Sequence, residues 1–323
     1  MKQVESIETE IIKTASDKAV NVPTSVLSVS PILLSAPERG EAIQLRVSAP
    51  VSGIKLPIII FAHGYGSSLD GYAPLVNFWA ANGFVVIQPT FLDSRTLALS
   101  PEDPRTPLIW KFRVEDVKQI LDELDFIADS VIGLKGRLDH DSIVAVGHSF
   151  GAQTTGMLLG ARVINPDGTL GEDMSDSRIK VGVLLTPAGK GGSDLSPFAA
   201  EHFPFMNPSY AAMTTPTLVI AGDKDISPLT IRGWDWFTDA FTLSPGADWL
   251  VTLFGGEHLL GGISGYLVTE TSDENPERVS AVQQLSLAYL RSALYPENSS
   301  WSEARKEFNE HPNPIGKIEG KLD

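Results

Sequence analysis

Short apolar segments rich in β-branched residues recur along the chain, each followed by turn residues and then by a helical pattern. Near-continuous apolar runs of this length are typical of strands buried on both faces of a mostly parallel sheet. The predicted strands are Ile43–Val47, Pro57–Ala62, Phe84–Pro89, Ser142–Val146, Val181–Thr186, Pro216–Ala221 and Trp249–Phe254. An earlier extended segment, Ser25–Ser30, can form an antiparallel edge with the first of them.

Amphipathic stripes predict helices between these strands. One stripe comprises Val114, Val117, Ile120, Leu121, Leu124 and Ile127, and a last long helix is marked by Val279, Val282, Leu285 and Leu290. Alternating strands and helices indicate the α/β class, with a doubly wound, mostly parallel sheet and helices on both faces. We expect one domain over residues 1–323, with its core at about 40–295 and a wrapped or loose C-terminal extension at 296–323.

Composition and charge narrow the classes of function. The chain of 323 residues is 42% hydrophobic and 20% charged, and it contains no cysteine. A disulfide framework, a thiolate metal site and a cysteine nucleophile are thereby excluded. The formal net charge of −15 disfavours nucleic acid and anionic lipid surfaces as partners. Composition leaves the oligomeric state open.

The N-terminal residues lack the apolar core of a signal peptide, and no stretch of the sequence approaches the length of a membrane span. The cytoplasm is therefore the default location. If a signal peptide had been removed from the N-terminus of this sequence, the protein would instead be secreted.

The strongest chemical signal is the pentapeptide 147–151, which reads Gly-His-Ser-Phe-Gly. It directly follows the predicted strand Ser142–Val146 and precedes a helical stretch of small residues. A nucleophile elbow needs this context, because its serine sits on a strained strand-to-helix turn that only glycine neighbours allow to pack closely. We predict that Ser149 is a nucleophile and that His148 is structural. The alternative is a glycine-rich turn whose serine caps the next helix.

A second glycine-bearing loop, His-Gly-Tyr-Gly-Ser-Ser at 63–68, follows the predicted strand Pro57–Ala62. In hydrolases with such an elbow, this loop and the residue after the nucleophile supply the amides of the oxyanion hole. The pattern nominates the backbone N–H groups of Tyr65 and Phe150, and we interpret His63 as structural. The alternative is an ordinary β-to-α turn.

The order of a triad on this kind of elbow is serine, then acid, then histidine. Of the six histidines, only His258 and His311 follow the predicted acid strand Pro216–Ala221. His311 lies in a Pro/Asn-rich tail, whereas His258 directly follows the strand Trp249–Phe254. We therefore predict that His258 is the base.

Two aspartates compete for the role of acid, since residues 222–228 read Gly-Asp-Lys-Asp-Ile-Ser-Pro. Asp223 comes first off the strand, where an aspartate commonly stabilises a turn through backbone amides. Asp225 lies deeper in the loop and can project towards the loop that carries His258. We predict that Asp225 is the acid.

With these motifs assembled, the chain resembles the α/β-hydrolase superfamily over roughly residues 40–295. Within it the chain is similar to the branch of dienelactone hydrolases, platelet-activating-factor acetylhydrolases and chlorophyllases, and polyester hydrolases and cutinases share the loop at 64–65. The supporting stretches are 63–68, 82–86, 113–117, 147–151 and 186–189. The resemblance agrees with Asp225 as the acid, because relatives place it three residues after a glycine and shortly before a proline.

The implied reaction is acyl transfer from an ester to water through an acyl-enzyme, without metal or organic cofactor. The acidic pair Glu172-Asp173 is interpreted as part of a solvated loop. Thioesterase, lactonase or peptidase chemistry on the same triad is the alternative, and a catalytically inactive binding protein on this scaffold is another.

Three long connections, Leu92–Thr106, Asn165–Ser177 and Pro187–Met213, do not fit the rhythm of the sheet. Such connections usually build a pocket or a lid. The expected pocket residues are Tyr72, Trp110, Phe198 and Trp234, with Tyr65, Phe203, Phe205, Trp236 and Phe237 as further aromatic candidates. A mostly apolar pocket suits a small-molecule hydrophobic ester, although each of these side chains could equally belong to core packing.

Overall fold

A nine-stranded sheet runs through the molecule, whose computed structural model describes residues 23–265 and 271–321. Its strands are β1 (Val26–Leu34), β2 (Ile43–Pro50), β3 (Leu56–Ala62), β4 (Val85–Thr90), β5 (Leu138–His148), β7 (Ile179–Leu185), β9 (Thr217–Gly222), β10 (Ala247–Leu253) and β11 (Gly316–Gly320). The spatial order is β1-β2-β4-β3-β5-β7-β9-β10-β11. The six neighbouring strands β4, β3, β5, β7, β9 and β10 are parallel. Two short strands, β6 (Arg162–Val163) and β8 (Pro208–Ser209), pair separately.

Helices cover both faces of the sheet. They are α1 (Ala73–Ala81), α2 (Ile109–Asp122), α3 (Leu124–Asp129), α4 (Phe150–Leu158), α5 (Pro197–His202), α6 (Asp239–Leu243), α7 (Pro276–Leu294) and α8 (Ser300–Asn309). Along β3, Ile58 and Ile60 join the apolar core under α2–α4, whereas Ile59 and Phe61 join the core under α1 and α7. A strand buried on both sides cannot alternate apolar with polar residues, which explains its continuous apolar run. The predicted doubly wound α/β architecture is confirmed.

Antiparallel strands close both edges of the sheet. Strand β1 pairs with β2, as the sequence predicted, and β11 pairs with β10 so that Ile318 lies opposite Val251. Trp301 of α8 and Ile318 are buried in the core beneath α7. The segment expected to be a wrapped or loose extension thus adds a helix and an edge strand to the main sheet.

The parallel strands place four loops at one edge of the sheet. The loop after β3 carries Tyr65, the turn after β5 carries Ser149, and the loops after β9 and β10 carry Asp225 and His258. The carboxyl ends of parallel strands meet at the same edge, where α/β proteins build their sites. In the described ranges, no helix is long and apolar enough to cross a membrane.

Candidate active site

The turn between β5 and α4 has the strained geometry of a nucleophile elbow. Ser149 has φ 55° and ψ −119°, a conformation that residues with a side chain rarely adopt. A Cβ on Gly147 would lie 2.1 Å from the Gly151 carbonyl oxygen, and a Cβ on Gly151 would lie 1.9 Å from the Ala62 carbonyl oxygen. Both flanking positions therefore exclude any residue larger than glycine.

Three of the predicted site residues meet in one hydrogen-bonded chain. His258 Nε2 lies 2.8 Å from Ser149 Oγ, and His258 Nδ1 lies 2.8 Å from Asp225 Oδ2. A carboxylate accepts hydrogen bonds, so Nδ1 carries the proton and Nε2 is left to accept from the serine hydroxyl. Asp225 is fully buried. The competing aspartate, Asp223, bonds the backbone of the His258 loop instead.

The two backbone amides predicted to form the oxyanion hole differ from the neighbouring amides in their hydrogen bonding. The N–H groups of Gly64, Gly66 and Ser149 each donate to an acceptor within the protein. Those of Tyr65 and Phe150 make no such bond among the described residues. Their N–H groups are thus available to a ligand, and the two side-chain rings lie 6.1 Å apart.

The histidine of the elbow, His148, connects the predicted oxyanion loop (residues 63–68) to the loop that carries His258. The Gly64 amide donates to the Tyr72 phenol oxygen at 3.1 Å, and that oxygen lies 2.8 Å from His148 Nδ1. His148 Nε2 lies 2.8 Å from the His258 carbonyl oxygen. Because a carbonyl only accepts, Nε2 carries the proton, and Nδ1 accepts from the Tyr72 hydroxyl. His148 is buried, in agreement with its predicted structural role.

An apolar cavity of about 450 Å³ opens beside Ser149 and His258. Besides these two residues it is lined by Tyr65, Thr106, Pro107, Ile109, Phe150, Thr186, Ala188, His202, Phe203, Phe205, Met206, Ser227, Leu229, Trp236 and Phe237. The connections Leu92–Thr106 and Pro187–Met213 contribute to this lining. The sequence predicted that such long connections between the strands build a pocket or a lid.

None of the four expected pocket residues, Tyr72, Trp110, Phe198 and Trp234, belongs to this lining. Trp110 stacks against Phe205 with ring centroids 6.0 Å apart, Phe198 stacks against His202 at the surface, and Trp234 is partly exposed. They support the cavity wall or face solvent, because aromatic composition alone does not show on which side of a loop a ring points.

A second cavity of about 450 Å³ also borders Ser149. It shares Tyr65, Ser149 and His258 with the apolar cavity. Tyr72, the fourth expected pocket residue, lines this second cavity, although its hydroxyl is occupied by the bond to His148. The remaining wall is more polar and consists of Gly64, Gly66, Ser67, Ser68, Gly71, Arg95, His148, Leu259 and Ser264.

Metal ligands do not cluster in the part of the chain that the structure describes: no group of three or more His, Asp or Glu side chains there could hold an ion. Asp173 accepts a hydrogen bond from the Ser175 amide at 3.0 Å, and Glu172 is exposed.

Comparison with known proteins agrees with this geometry. The model of the alpha/beta hydrolase family matches residues 59–301. The platelet-activating factor acetylhydrolase of Cavia porcellus is 26% identical over 171 residues, a match that covers 42% of this chain and 36% of that protein. The chain thus matches little more than a third of that relative's length.

Proposed function

Since the chain belongs to the alpha/beta hydrolase family, we propose that it is a carboxylic ester hydrolase of the serine type. The observation that carries the proposal is the unbroken chain from Asp225 through His258 to Ser149, at a strained elbow beside a cavity. A nucleophile, a base within hydrogen-bond reach and a third group that orients the base are the parts that covalent acyl transfer needs.

The first half of the reaction forms the acyl-enzyme. His258 Nε2 takes the hydroxyl proton of Ser149 while Oγ attacks the ester carbonyl carbon. The amides of Tyr65 and Phe150 donate to the oxygen that becomes negative. As the tetrahedral intermediate collapses, the bond to the alcohol oxygen breaks and His258 returns the proton to that oxygen.

The second half releases the acid. His258 takes a proton from a water molecule, whose oxygen attacks the acyl carbon, and the bond to Ser149 Oγ then breaks as the serine is reprotonated. Asp225 stays ionised throughout, because its task is to hold the imidazole in one tautomer and to stabilise the imidazolium. The chain's own residues supply every proton transfer in this scheme.

The cavities beside Ser149 support a hydrophobic ester as the substrate. The apolar cavity offers aromatic and aliphatic walls to one arm of such a molecule, and apolar walls with few polar groups are typical of small-molecule sites. The name of the matched relative, an acetylhydrolase, is consistent with ester chemistry. Thioesterase, lactonase and peptidase activities use the same triad and are outcomes of the test.

Labelling with a fluorophosphonate tests the nucleophile. We expect one label per chain on Ser149, no label on Ser149→Ala, and an unchanged label on Ser227→Ala, a serine that lines the same cavity outside the triad. Ser149→Ala should lower turnover by on the order of 10⁴-fold or more. A folded Ser149→Ala enzyme that kept more than a few per cent of turnover would contradict the proposal.

A substrate panel tests the reaction class. Esters with graded acyl and alcohol size are compared with matched thioesters, lactones and peptide anilides. For each compound kcat/KM is measured, with the enzyme concentration taken from active-site labelling. We expect the esters to give the highest values. An unlabelled wild-type protein without turnover on any of them would indicate a binding protein.

A further inference from the structure

A buried guanidinium lies directly beneath the oxyanion loop. Arg113 of α2 is fully excluded from solvent, and its Nη1 lies 2.6 Å from Oδ1 of Asp93, whose side chain is equally buried. Its Nη2 donates to the His63 carbonyl oxygen, and its Nε donates to Thr154 Oγ1 at 3.0 Å. Each of the three guanidinium nitrogens therefore makes a hydrogen bond, and each bond goes to a different loop or helix of the site.

The pair of Arg113 and Asp93 holds the peptide of Tyr65 from both sides. On the N-terminal side, Arg113 binds the carbonyl of His63. On the C-terminal side, Oδ2 of Asp93 accepts from the Gly66 amide at 3.0 Å. The direction of the Tyr65 amide follows from these two fixed neighbours.

The same guanidinium contacts the segment that carries the other amide. Thr154 Oγ1, which accepts from Arg113, donates to the Phe150 carbonyl oxygen at 3.1 Å. The guanidinium carbon lies 4.6 Å from the centre of the Phe150 ring and 4.1 Å from the centre of the Phe91 ring. One ion pair thus reaches both predicted donors of the oxyanion hole.

We propose that Arg113 and Asp93 are positioning residues, which fix the Tyr65 and Phe150 amides in the orientation that binds the oxyanion. The proposal rests on the proposed function. Donors that are already oriented stabilise developing charge without reorganisation, so small errors in their direction lower the rate. A fully desolvated ion pair is stiff when each guanidinium nitrogen and each carboxylate oxygen makes a hydrogen bond, because breaking it leaves a buried charge unpaired.

The charges around the pair agree with this role. Burial opposes the ionisation of Asp93, but the Arg113 charge and the hydrogen bond from Gly66 hold the pKa of that carboxyl below its usual range. Burial, together with the charge of Arg113, lowers the pKa of His63 to about 4. His63 is therefore neutral near pH 7 and leaves Arg113 as the partner of Asp93.

The test is Asp93→Asn, which keeps the shape but removes the charge. We expect kcat to fall on the order of 10- to 100-fold with KM within about twofold, because the amides act on the transition state and not on the bound ester. Affinity for a trifluoromethyl ketone, which forms a tetrahedral oxyanion on the serine, should fall by the same factor. Affinity for the matching methyl ketone should not change.

The matched control is Asp116→Asn, on the same helix as Arg113. Asp116 and Arg39 form a second buried ion pair, 3.4 Å apart, with side chains only 3% and 2% exposed. This pair contacts neither the oxyanion loop nor α4 in any hydrogen bond found in the described residues. Both variants are measured at pH 8, because burial raises the pKa of Asp116 to about 7, and we expect Asp116→Asn to keep kcat within about twofold.

Rates are expressed per active site titrated with the fluorophosphonate, so that unfolded protein is not counted. If Asp93→Asn does not fold, Arg113→Lys replaces it, because it keeps the charge but loses the fork to His63 and Thr154. Equal loss of kcat in Asp93→Asn and Asp116→Asn, or a loss confined to KM, would overturn the inference. A wild-type protein that takes no label refutes the proposed function, whereas a labelled Asp93→Asn enzyme with normal kcat refutes only the role of the ion pair.

Discussion

Asp223 Oδ1 accepts a hydrogen bond of 2.7 Å from the amide of Gly255, three residues before His258. The two aspartates of one loop therefore divide their contacts: Asp223 binds the backbone of the next loop, and Asp225 binds the imidazole of His258. We expect Asp225→Asn to lower kcat by about 10³- to 10⁴-fold, because an amide favours the wrong histidine tautomer.

Asp223→Asn is the matched substitution, and it should lower thermal stability more than turnover. Asparagine keeps an oxygen that can accept from the Gly255 amide, so the substitution removes the charge and reduces a contribution of about 1.5–3 kcal/mol towards the ~1 kcal/mol of a neutral hydrogen bond. Melting temperature and kcat are measured on both variants. The opposite pattern, with Asp223→Asn inactive and Asp225→Asn near normal, would reverse the assignment.

Tyr65→Phe should be a mild substitution. The side chain of Tyr65 is 61% exposed, and its proposed contribution to the transition state is the backbone amide, which phenylalanine retains. Tyr72→Phe provides the contrast, because it removes the oxygen that joins the Gly64 amide to His148. We expect kcat within about threefold for Tyr65→Phe and a larger loss for Tyr72→Phe. A large kcat loss with unchanged KM in Tyr65→Phe would show that the phenol itself acts on the transition state.

The sequence predicts the sheet and the meeting of Ser149, Asp225 and His258 for the same reason. Parallel strands buried on both sides have continuous apolar runs, and the residues directly after them share one edge of the sheet. The edge strand β11 is missed because Ile318 is its only large apolar side chain. A strand that buries a single side chain carries too little hydrophobic pattern to be recognised.

Side-chain direction within the loops is a second limit on prediction. The expected pocket residues Trp110, Phe198 and Trp234 lie outside the cavity lining, whereas Thr186 and Leu229 belong to it without any aromatic signal. In the sequence, Arg113 is indicated only as part of the stretch 113–117 that supports the family resemblance. Its ion pair joins residues 20 positions apart in the chain, and such a contact exists only once α2 and the loop after β4 are packed together in the finished fold.

Filling the apolar cavity should restrict hydrolysis to esters with shorter acyl or alcohol chains. Leu229 is half-buried and lines this cavity, so Leu229→Trp reduces the space for a long acyl or alcohol chain. We expect kcat/KM for an octanoate ester to fall about 10-fold or more relative to the acetate ester, which corresponds to about 1.4 kcal/mol or more. Trp234→Ala, outside the lining, should leave the octanoate-to-acetate ratio unchanged. An unchanged ratio in Leu229→Trp would show that neither arm of the substrate enters this cavity.

Two buried histidines should make stability depend on pH below neutrality. Burial, and secondly the charge of Arg113, lowers the pKa of His63 from 6.5 to about 4. Burial, and secondly the charge of His258, lowers the pKa of His148 from 6.5 to about 3. In both cases folding favours the neutral ring, so the unfolded chain binds more protons as soon as the pH falls below about 6.5.

Stability should therefore be fully present above about pH 6.5 and should be lost progressively as the pH falls towards 4 and then 3. Each histidine contributes a slope approaching about 1.4 kcal/mol per pH unit. Urea unfolding between pH 8 and pH 5 measures this slope in an Asp116→Asn background, because burial raises the pKa of Asp116 to about 7 and its titration would otherwise oppose the histidine slope. His148→Gln should remove the contribution of one histidine to the dependence of the unfolding free energy on pH. His140→Gln, at an exposed position, should leave that dependence unchanged. A free energy of unfolding that stays constant from pH 8 to pH 5 in the Asp116→Asn background would contradict this account of both histidines.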